Sequence, residues 1–321
     1  MPANIDTMFS VREVPWHGLG TIVDAELLSE AAIVAAGLGW DVEKRRIQIP
    51  LEGQDVDYIE PTEWLATVRM DRLQPLGIVS PRYKIIQNRE AFQFMDELAG
   101  PSRLLQYNTA GSLSGGRKVW LLATIQDLIM EPVKGDVVQP YLLLANGHDG
   151  KFDLSVCWTS VRVVCQNTLM LALGSTQKKV SIRHTGDLSS KKSQAQDVLG
   201  LTRKAVRRNE EMFKHLAEKK MDQKKLDEFL KSLVPDPEDG ISTRAENVRS
   251  RIESLFDVGP GADLPGVHGT AWAALNAVTA YTSHYRTVRG EKEESERRLD
   301  SIWFGTAAAM NQRAVDLLVP A

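Results

Sequence analysis

Basic residues recur in pairs and short runs along the first 190 positions, several of them beside an aromatic ring or an imidazole. Such side chains can hold a single nucleic-acid strand, because Lys and Arg neutralise phosphates while aromatic rings stack on unpaired bases. If the strands that carry them are neighbours, the side chains would line a groove. The candidate nucleic-acid-binding residues are Arg45, Arg46, Arg82, Tyr83, Lys84, Arg117, Lys118, Trp158, Arg162, Lys178, Lys179, Arg183 and His184.

A plainer interpretation of these residues stays open, since basic side chains are also ordinary polar positions on half-exposed strands. Arg162 poses the question most sharply because it stands among apolar neighbours. A partly buried guanidinium needs acceptors. It could pair with a carboxylate such as Asp149 or Asp153, or it could contact a phosphate.

The charge of the chain is strongly segregated. Residues 178–225 contain fourteen basic and six acidic side chains, a net charge of +8, so the remainder carries −11 of the total of −3. Segregation of this kind attracts polyanions, although a solvated helix face would give the same pattern. The total of −3 excludes a uniformly basic coat but not a local patch.

Motifs for catalysis or cofactor binding are missing from the sequence. The glycines of 111–116 lack the Gly-Lys-Ser/Thr of a phosphate-binding loop, and Cys157 and Cys165 have no paired-cysteine spacing for zinc. His148 and Asp149 lie in a Gly-rich turn, which favours a structural role. The sequence therefore predicts no catalytic residue, metal or cofactor and favours a non-enzymatic protein. A metal-dependent hydrolase using His148 and Asp149 is an alternative.

Periodicity predicts the elements that must position these residues. Alternating apolar and polar side chains predict a strand at 40–49, and further short strands are predicted at 64–70 and 77–86, with helices at 29–38 and 88–98 on either side. Further strands are predicted at 104–107, 118–125, 138–146 and 152–159.

After residue 189 the apolar spacing becomes helical, and helices are predicted over 242–256 and 270–285. The predicted fold class is α+β: an N-terminal antiparallel-sheet-rich core with flanking helices, followed by a helical C-terminal region. The predicted domains are residues 1–188 and residues 189–321. The second would pack on the core or mediate assembly.

Composition restricts the class of protein. The chain has 321 residues, 43% of them hydrophobic, and two cysteines, which favours a reducing compartment. No apolar run approaches the ~20 residues that span a bilayer, and the first residues lack a signal-peptide pattern. A cytoplasmic protein without membrane contact is expected.

Four stretches together resemble a known family, the phage/plasmid-like proteins called domain of unknown function 932. The stretches are 15–20 (PWHGLG), 162–169 (RVVCQNTL), 183–185 (RHT) and 270–277 (TAWAALNA). The resemblance extends over nearly the whole chain. It implies a setting, a phage or plasmid, without implying a reaction.

That setting suggests a comparison with the RecT and Redβ types of single-strand annealing recombinase. Those proteins combine a helix, a sheet and a further helix with a basic groove, and they assemble into rings or filaments. The predicted order of helix 29–38, strands and helix 88–98 has the same character, although this is an analogy of fold only.

The sequence-based expectation is a DNA-binding homo-oligomer that holds or anneals single strands during DNA recombination or replication of a mobile element. The double variant Arg45→Ala/Arg46→Ala, or the double variant Lys178→Ala/Lys179→Ala, would then lose binding. A non-enzymatic host-interaction or anti-defence protein is a second alternative. The sequence does not distinguish DNA from RNA.

Overall fold

The computed structural model divides the chain into two compact units. The sheet unit comprises Met1–Ile125, Leu142–Cys157 and Lys179–Leu199, and the helical unit comprises Gln126–Tyr141, Trp158–Lys178 and Gly200–Ala321. The predicted single boundary after residue 188 does not coincide with this division, because two hairpin segments of the first half belong to the helical unit. The structure describes residues 5–11, 21–51, 57–99, 105–124, 128–162, 167–169, 180–186, 188, 191–238, 240–287, 301–302 and 305–319.

Strands dominate the first half of the chain and helices the second, so the predicted α+β fold class is confirmed. The strands are β1 (Ile5–Val11), β2 (Thr21–Val23), β3 (Val42–Arg46), β4 (Ile49–Pro50), β5 (Tyr58–Ile59), β6 (Leu65–Arg69), β7 (Gln74–Val79), β8 (Gln106–Leu113), β9 (Lys118–Thr124), β10 (Met130–Val133), β11 (Asp136–Gly147), β12 (Leu154–Arg162), β13 (Asn167–Leu169) and β14 (Val180–Ile182). The helices are α1 (Ser29–Ala35), α2 (Asn88–Ala99), α3 (Lys192–Glu218), α4 (Gln223–Leu233), α5 (Thr243–Val258), α6 (Ala271–Ala280) and α7 (Thr306–Leu318).

The main sheet of the sheet unit has the strand order β14-β12-β11-β9-β8-β1-β2. β8 pairs antiparallel with both β1 and β9, and β12 pairs antiparallel with β14, whereas β1 and β2 are parallel. In the helical unit, β10 pairs with the start of β11 and β13 pairs with the end of β12.

Helices α1 and α2 contribute apolar side chains to the core of the sheet unit. Ile33, Phe92 and Met95 are buried there with Phe9 of β1 and Leu121 of β9. The predicted helices at 29–38 and 88–98 are thereby confirmed to within a few residues.

A small sheet with the order β3-β6-β7 carries the first of the basic pairs. The strand predicted over 77–86 was too long, because β7 ends at Val79. Pro81 then interrupts the extended chain, and the Lys84 amide bonds to the carbonyl of His184 rather than to a neighbouring strand of this sheet.

Helix α6 is the centre of the helical unit, since all ten of its residues are buried. Its Trp272 Nε1 donates a 2.7 Å hydrogen bond to the buried carboxylate of Asp136 on β11. A π-helical turn, Tyr281–Tyr285, extends α6 and completes the stretch predicted as one helix over 270–285. None of the described helices is both long enough and apolar enough to cross a membrane.

Candidate nucleic-acid interface

Three of the basic segments singled out in the sequence converge on the turn that joins β11 to β12. The Tyr83 hydroxyl donates to the Gly147 carbonyl at 2.8 Å, and the His148 amide donates to the Arg117 carbonyl at 2.8 Å. The Lys84 amide in turn donates to the carbonyl of His184. Segments 82–84, 117–118 and 183–184 therefore surround residues 147–150, which we call the His148 turn.

The His148 turn is held closely against the small sheet. Gly150 has a φ of +76°, and the Asp149 carboxylate accepts from the Lys151 amide at 3.0 Å, which is ordinary turn chemistry. The Asp149 backbone lies against Gly77 of β7, where a Cβ atom would collide with it. Thr67 of β6 also donates to the His148 carbonyl at 2.6 Å.

The imidazole of His148 is fully buried beneath its turn. Asn88 uses its amide NH₂ on the carbonyls of Leu38 and Trp40, so its oxygen faces His148 Nε2 at 3.0 Å and Nε2 must donate. Burial, with a smaller contribution from the nearby His184, lowers the pKa of His148 to about 3. His148 is therefore neutral at physiological pH and acts as a support for the turn.

The hydrolase alternative finds no geometric support at this turn. His148 faces Asn88, while the carboxylate of Asp149 faces a backbone amide. No group of three or more His, Cys, Asp or Glu side chains able to hold a metal ion occurs among the described residues.

Tyr83 and His184 are brought together, but not as a platform for bases. Their rings stack with centroids 4.6 Å apart, and both are buried, with 7% and 4% of their surface exposed. Burial lowers the pKa of His184, and the Lys84 carbonyl that accepts from its Nδ1 opposes that shift. Burial has the opposite effect on Tyr83, whose pKa it raises. The stacking face that the sequence offered at Tyr83 is not available to a base, because His184 covers it and the ring is buried.

Four guanidinium and ammonium groups remain exposed around the His148 turn, and none forms an ion pair with a described residue. We call this set the convergent patch: Arg82, Lys84, Arg117 and Arg183. Lys44 adds a fifth charge at its margin, where its Nζ donates to the carbonyls of Pro81 and Tyr83 at 3.0 Å. Asp149 and Asp153 also act on this region, and they reduce its positive potential.

The two arginines on β3 differ from those of the convergent patch because both form ion pairs. Arg45 pairs with Glu43 at 2.6 Å and Arg46 with Glu60 at 3.4 Å. Lys118 lies over the ring of Phe152, 4.5 Å from its centroid. Local carboxylates offset the charges of Arg45 and Arg46, so these two arginines are less available to phosphates than the patch, and their place in one basic track stays a prediction.

Four further candidates have no described side chain. Trp158 and Arg162 lie on β12, where only their backbone is described, and Lys178 and Lys179 fall outside the described residues. Their predicted roles stay predictions.

A second group of cations, which the sequence did not lead us to expect, lies in the helical unit. Arg244, Arg251, Arg286 and Arg313 line one cavity. The spacing of seven between the first two places them on one face of a helix, which is a weak signal. Nothing local in the sequence connects either of them to Arg286 or Arg313.

One comparison with known proteins is positive. Residues 75–303, more than half of the chain, match the family model described as Domain of unknown function (DUF932). The chain belongs to this family. The convergent patch and the four arginines of the helical unit, except Arg313, lie within the matched residues. No curated protein and no solved structure matches the chain significantly.

Proposed function

We propose that the protein binds single-stranded nucleic acid, DNA in the first instance, through the convergent patch. The observation that carries this proposal is that four exposed cations from three distant chain segments surround one turn and have no carboxylate partner among the described residues. Their side chains are therefore available to phosphates, which supply most of the affinity of a protein for a nucleic-acid strand.

The patch rests on a support that is already ordered. The Tyr83 and His184 stack holds segments 82–84 and 183–184 together, and the bond from the His148 amide to the Arg117 carbonyl holds the third segment to the turn. Less conformational entropy is then lost on binding. Because the cations contact phosphates and not base edges, the bases stay free to test pairing with a second strand.

The biological role that we infer is strand holding or annealing in the recombination or replication of a phage or plasmid, by a homo-oligomeric ring or filament in the cytoplasm. The resemblance of the sequence to the phage/plasmid-like proteins supports a phage or plasmid setting. No catalytic residue is required, since annealing needs only that charge be neutralised and bases be left unpaired.

Fluorescence anisotropy of a labelled oligo-dT of about 30 nucleotides tests the proposal. If four cations each contact a phosphate, the logarithm of the affinity should fall with the logarithm of the salt concentration with a slope of about −3. An oligo-U of the same length shows whether DNA is preferred over RNA.

A pair of double variants with equal charge change localises the interface. Lys84→Ala/Arg183→Ala should weaken binding by at least about tenfold, and Arg45→Ala/Arg46→Ala by less than about threefold, because the first pair has no carboxylate partner among the described residues and the second pair has two. Absent or salt-insensitive binding, or equal losses in the two variants, would reject the patch as the interface.

A further inference from the structure

The helical unit contains a cavity of about 900 Å³. It lies between the end of α4, the first half of α5, the π-helical turn and α7, all of which belong to this unit. Its size is that of a site for a small organic ligand.

The charge of the cavity is unusual. Four arginines line it, Arg244, Arg251, Arg286 and Arg313, and no Asp or Glu stands among the described lining residues. None of the four forms an ion pair within the described part of the chain. The nearby Asp236 is already paired, since both of its oxygens accept from Arg249 at 3.1 Å.

Three of the four guanidinium groups contact described residues, and none of these contacts neutralises their charge. Arg251 lies over the ring of Tyr285, 4.8 Å from its centroid, and Arg313 donates to the Ser232 carbonyl at 2.6 Å. Arg286 lies 4.0 Å from the sulfur of Met310. Four like charges around one cavity repel each other, so an anion that enters lowers the electrostatic energy of all of them.

Two tyrosines complete the wall. Tyr281 is half-buried, and burial raises the pKa of its hydroxyl while Arg286 and Arg244 oppose the shift. Its hydroxyl therefore stays protonated and can donate to an anion. Tyr285 keeps 44% of its surface exposed, so its ring can contact a planar group.

The part of the cavity wall that carries the two tyrosines is anchored to the helices around it. Tyr281 and Tyr285 are the two ends of the π-helical turn, a local irregularity that is frequent at functional sites. The turn continues the fully buried α6, and its Thr282 hydroxyl donates to Asn311 of α7 at 2.8 Å. The cavity is therefore largely formed before any ligand binds.

We propose that this cavity binds a nucleoside polyphosphate, whose phosphates contact the four arginines and whose base contacts Tyr285. Guanidinium groups bind phosphate oxygens in pairs of parallel hydrogen bonds, and several phosphates in series match several arginines in one cavity. The site is independent of the convergent patch, so it can exist whether or not the protein binds strands.

Isothermal titration of the full chain with ATP tests this site. Wild-type protein should bind ATP, and inorganic tripolyphosphate should bind more weakly because it has no base. Arg244→Ala/Arg251→Ala should weaken ATP binding by at least about tenfold. Arg207→Ala/Arg208→Ala is the matched control, since these two arginines are exposed on α3 outside the cavity and their loss should leave ATP binding unchanged.

Further variants separate the two halves of the ligand and guard against misfolding. Tyr285→Leu should weaken binding of ATP more than binding of tripolyphosphate, because the ring contacts the base and also holds Arg251. Arg244→Gln/Arg251→Gln keeps the size of the side chains if the alanine variant unfolds. Lys84→Ala/Arg183→Ala should retain ATP binding even where strand binding is lost, which distinguishes failure of this site from failure of the proposed function.

Three results would overturn the assignment. The first is absence of ATP binding by the folded wild-type protein. The second is an equal effect of the cavity variant and its control. The third is oligonucleotide binding that requires Arg244 and Arg251 in a protein that does not bind ATP. The cavity would then be part of the nucleic-acid interface.

Discussion

The rings of Tyr83 and His184 stack with their planes only 17° apart, and this contact joins the segment after β7 to the segment after β14. The backbones next to the two rings are joined as well, since Lys84 and His184 exchange hydrogen bonds. The exposed cations Arg82, Lys84 and Arg183 are neighbours because the two buried rings between them hold their segments together.

Replacing Tyr83 by phenylalanine isolates the hydroxyl from the ring. Tyr83→Phe keeps the stack but removes the bond to the buried Gly147 carbonyl, so we expect the free energy of unfolding to fall by about 1–2 kcal/mol. Tyr83→Leu removes the stack too and should cost about 1 kcal/mol more. Urea denaturation measures both, and a phenylalanine variant as stable as wild type would show that the hydroxyl contributes nothing.

His148 makes stability depend on pH. Its pKa is about 3 in the folded protein and about 6.5 when unfolded, so the unfolded chain binds the extra proton between these values. The stability associated with His148 is complete above pH 6.5 and is lost as the pH falls toward 3. Between pH 7.5 and pH 5 the loss is about 2 kcal/mol.

The control for this pH effect is His148→Gln, whose amide nitrogen can still donate to Asn88 but does not titrate. Urea denaturation at both pH values should show a loss smaller by about 2 kcal/mol in the variant. His184, whose folded pKa is also lowered, contributes in the same direction in both proteins. Identical pH profiles would refute the assigned role of His148.

Gly77 should tolerate no side chain. A Cβ atom there would collide with the Asp149 backbone, so Gly77→Ala must displace the His148 turn and should cost about 1–3 kcal/mol. Because the convergent patch surrounds that turn, strand affinity should fall as well. Gly39→Ala is the matched control, since nothing lies within 4 Å of its Cβ position. Equal melting temperatures for the two variants would contradict the prediction.

The hydrogen bond of Trp272 should contribute to the stability of the helical unit. Trp272→Phe keeps an aromatic ring in the core but removes the bond to the buried carboxylate of Asp136, and we expect a cost of about 1.5–3 kcal/mol. Trp64→Phe changes an exposed tryptophan and should cost less than about 0.5 kcal/mol. Thermal unfolding compares the two, and a Trp272 variant no less stable than the Trp64 variant would contradict the prediction.

Local pattern was a reliable guide where a single element buries one face. The apolar spacing around Phe92 and Met95 predicts α2, because side-chain periodicity follows directly from helix geometry. The length of β7 was not predictable in this way. β7 ends at Val79, before Pro81, and the Lys84 amide then bonds to the carbonyl of His184, 100 residues further along the chain, a pairing that periodicity does not specify.

The pattern of charged residues in the sequence predicts how much positive charge a segment carries, but it does not predict which carboxylate each arginine pairs with. Arg45 and Arg183 look alike in the sequence, each beside another basic or imidazole residue. Only the folded chain shows that Arg46, next to Arg45, pairs with Glu60 of a distant segment at 3.4 Å, whereas Arg183 has no ion-pair partner among the described residues. A side chain's electrostatic partners are set by distances in space, which sequence spacing within a strand does not specify.

By itself, the sequence determined the α+β class, the family and the presence of unevenly distributed positive charge, because periodicity, motifs and composition are properties of the chain. The tertiary structure decided which cations are free, which aromatic rings are buried and which arginines share a cavity. Those properties arise from contacts between distant segments. A buried neutral His148 and a cavity with four arginines both depend on burial and proximity, and neither is encoded at any one position.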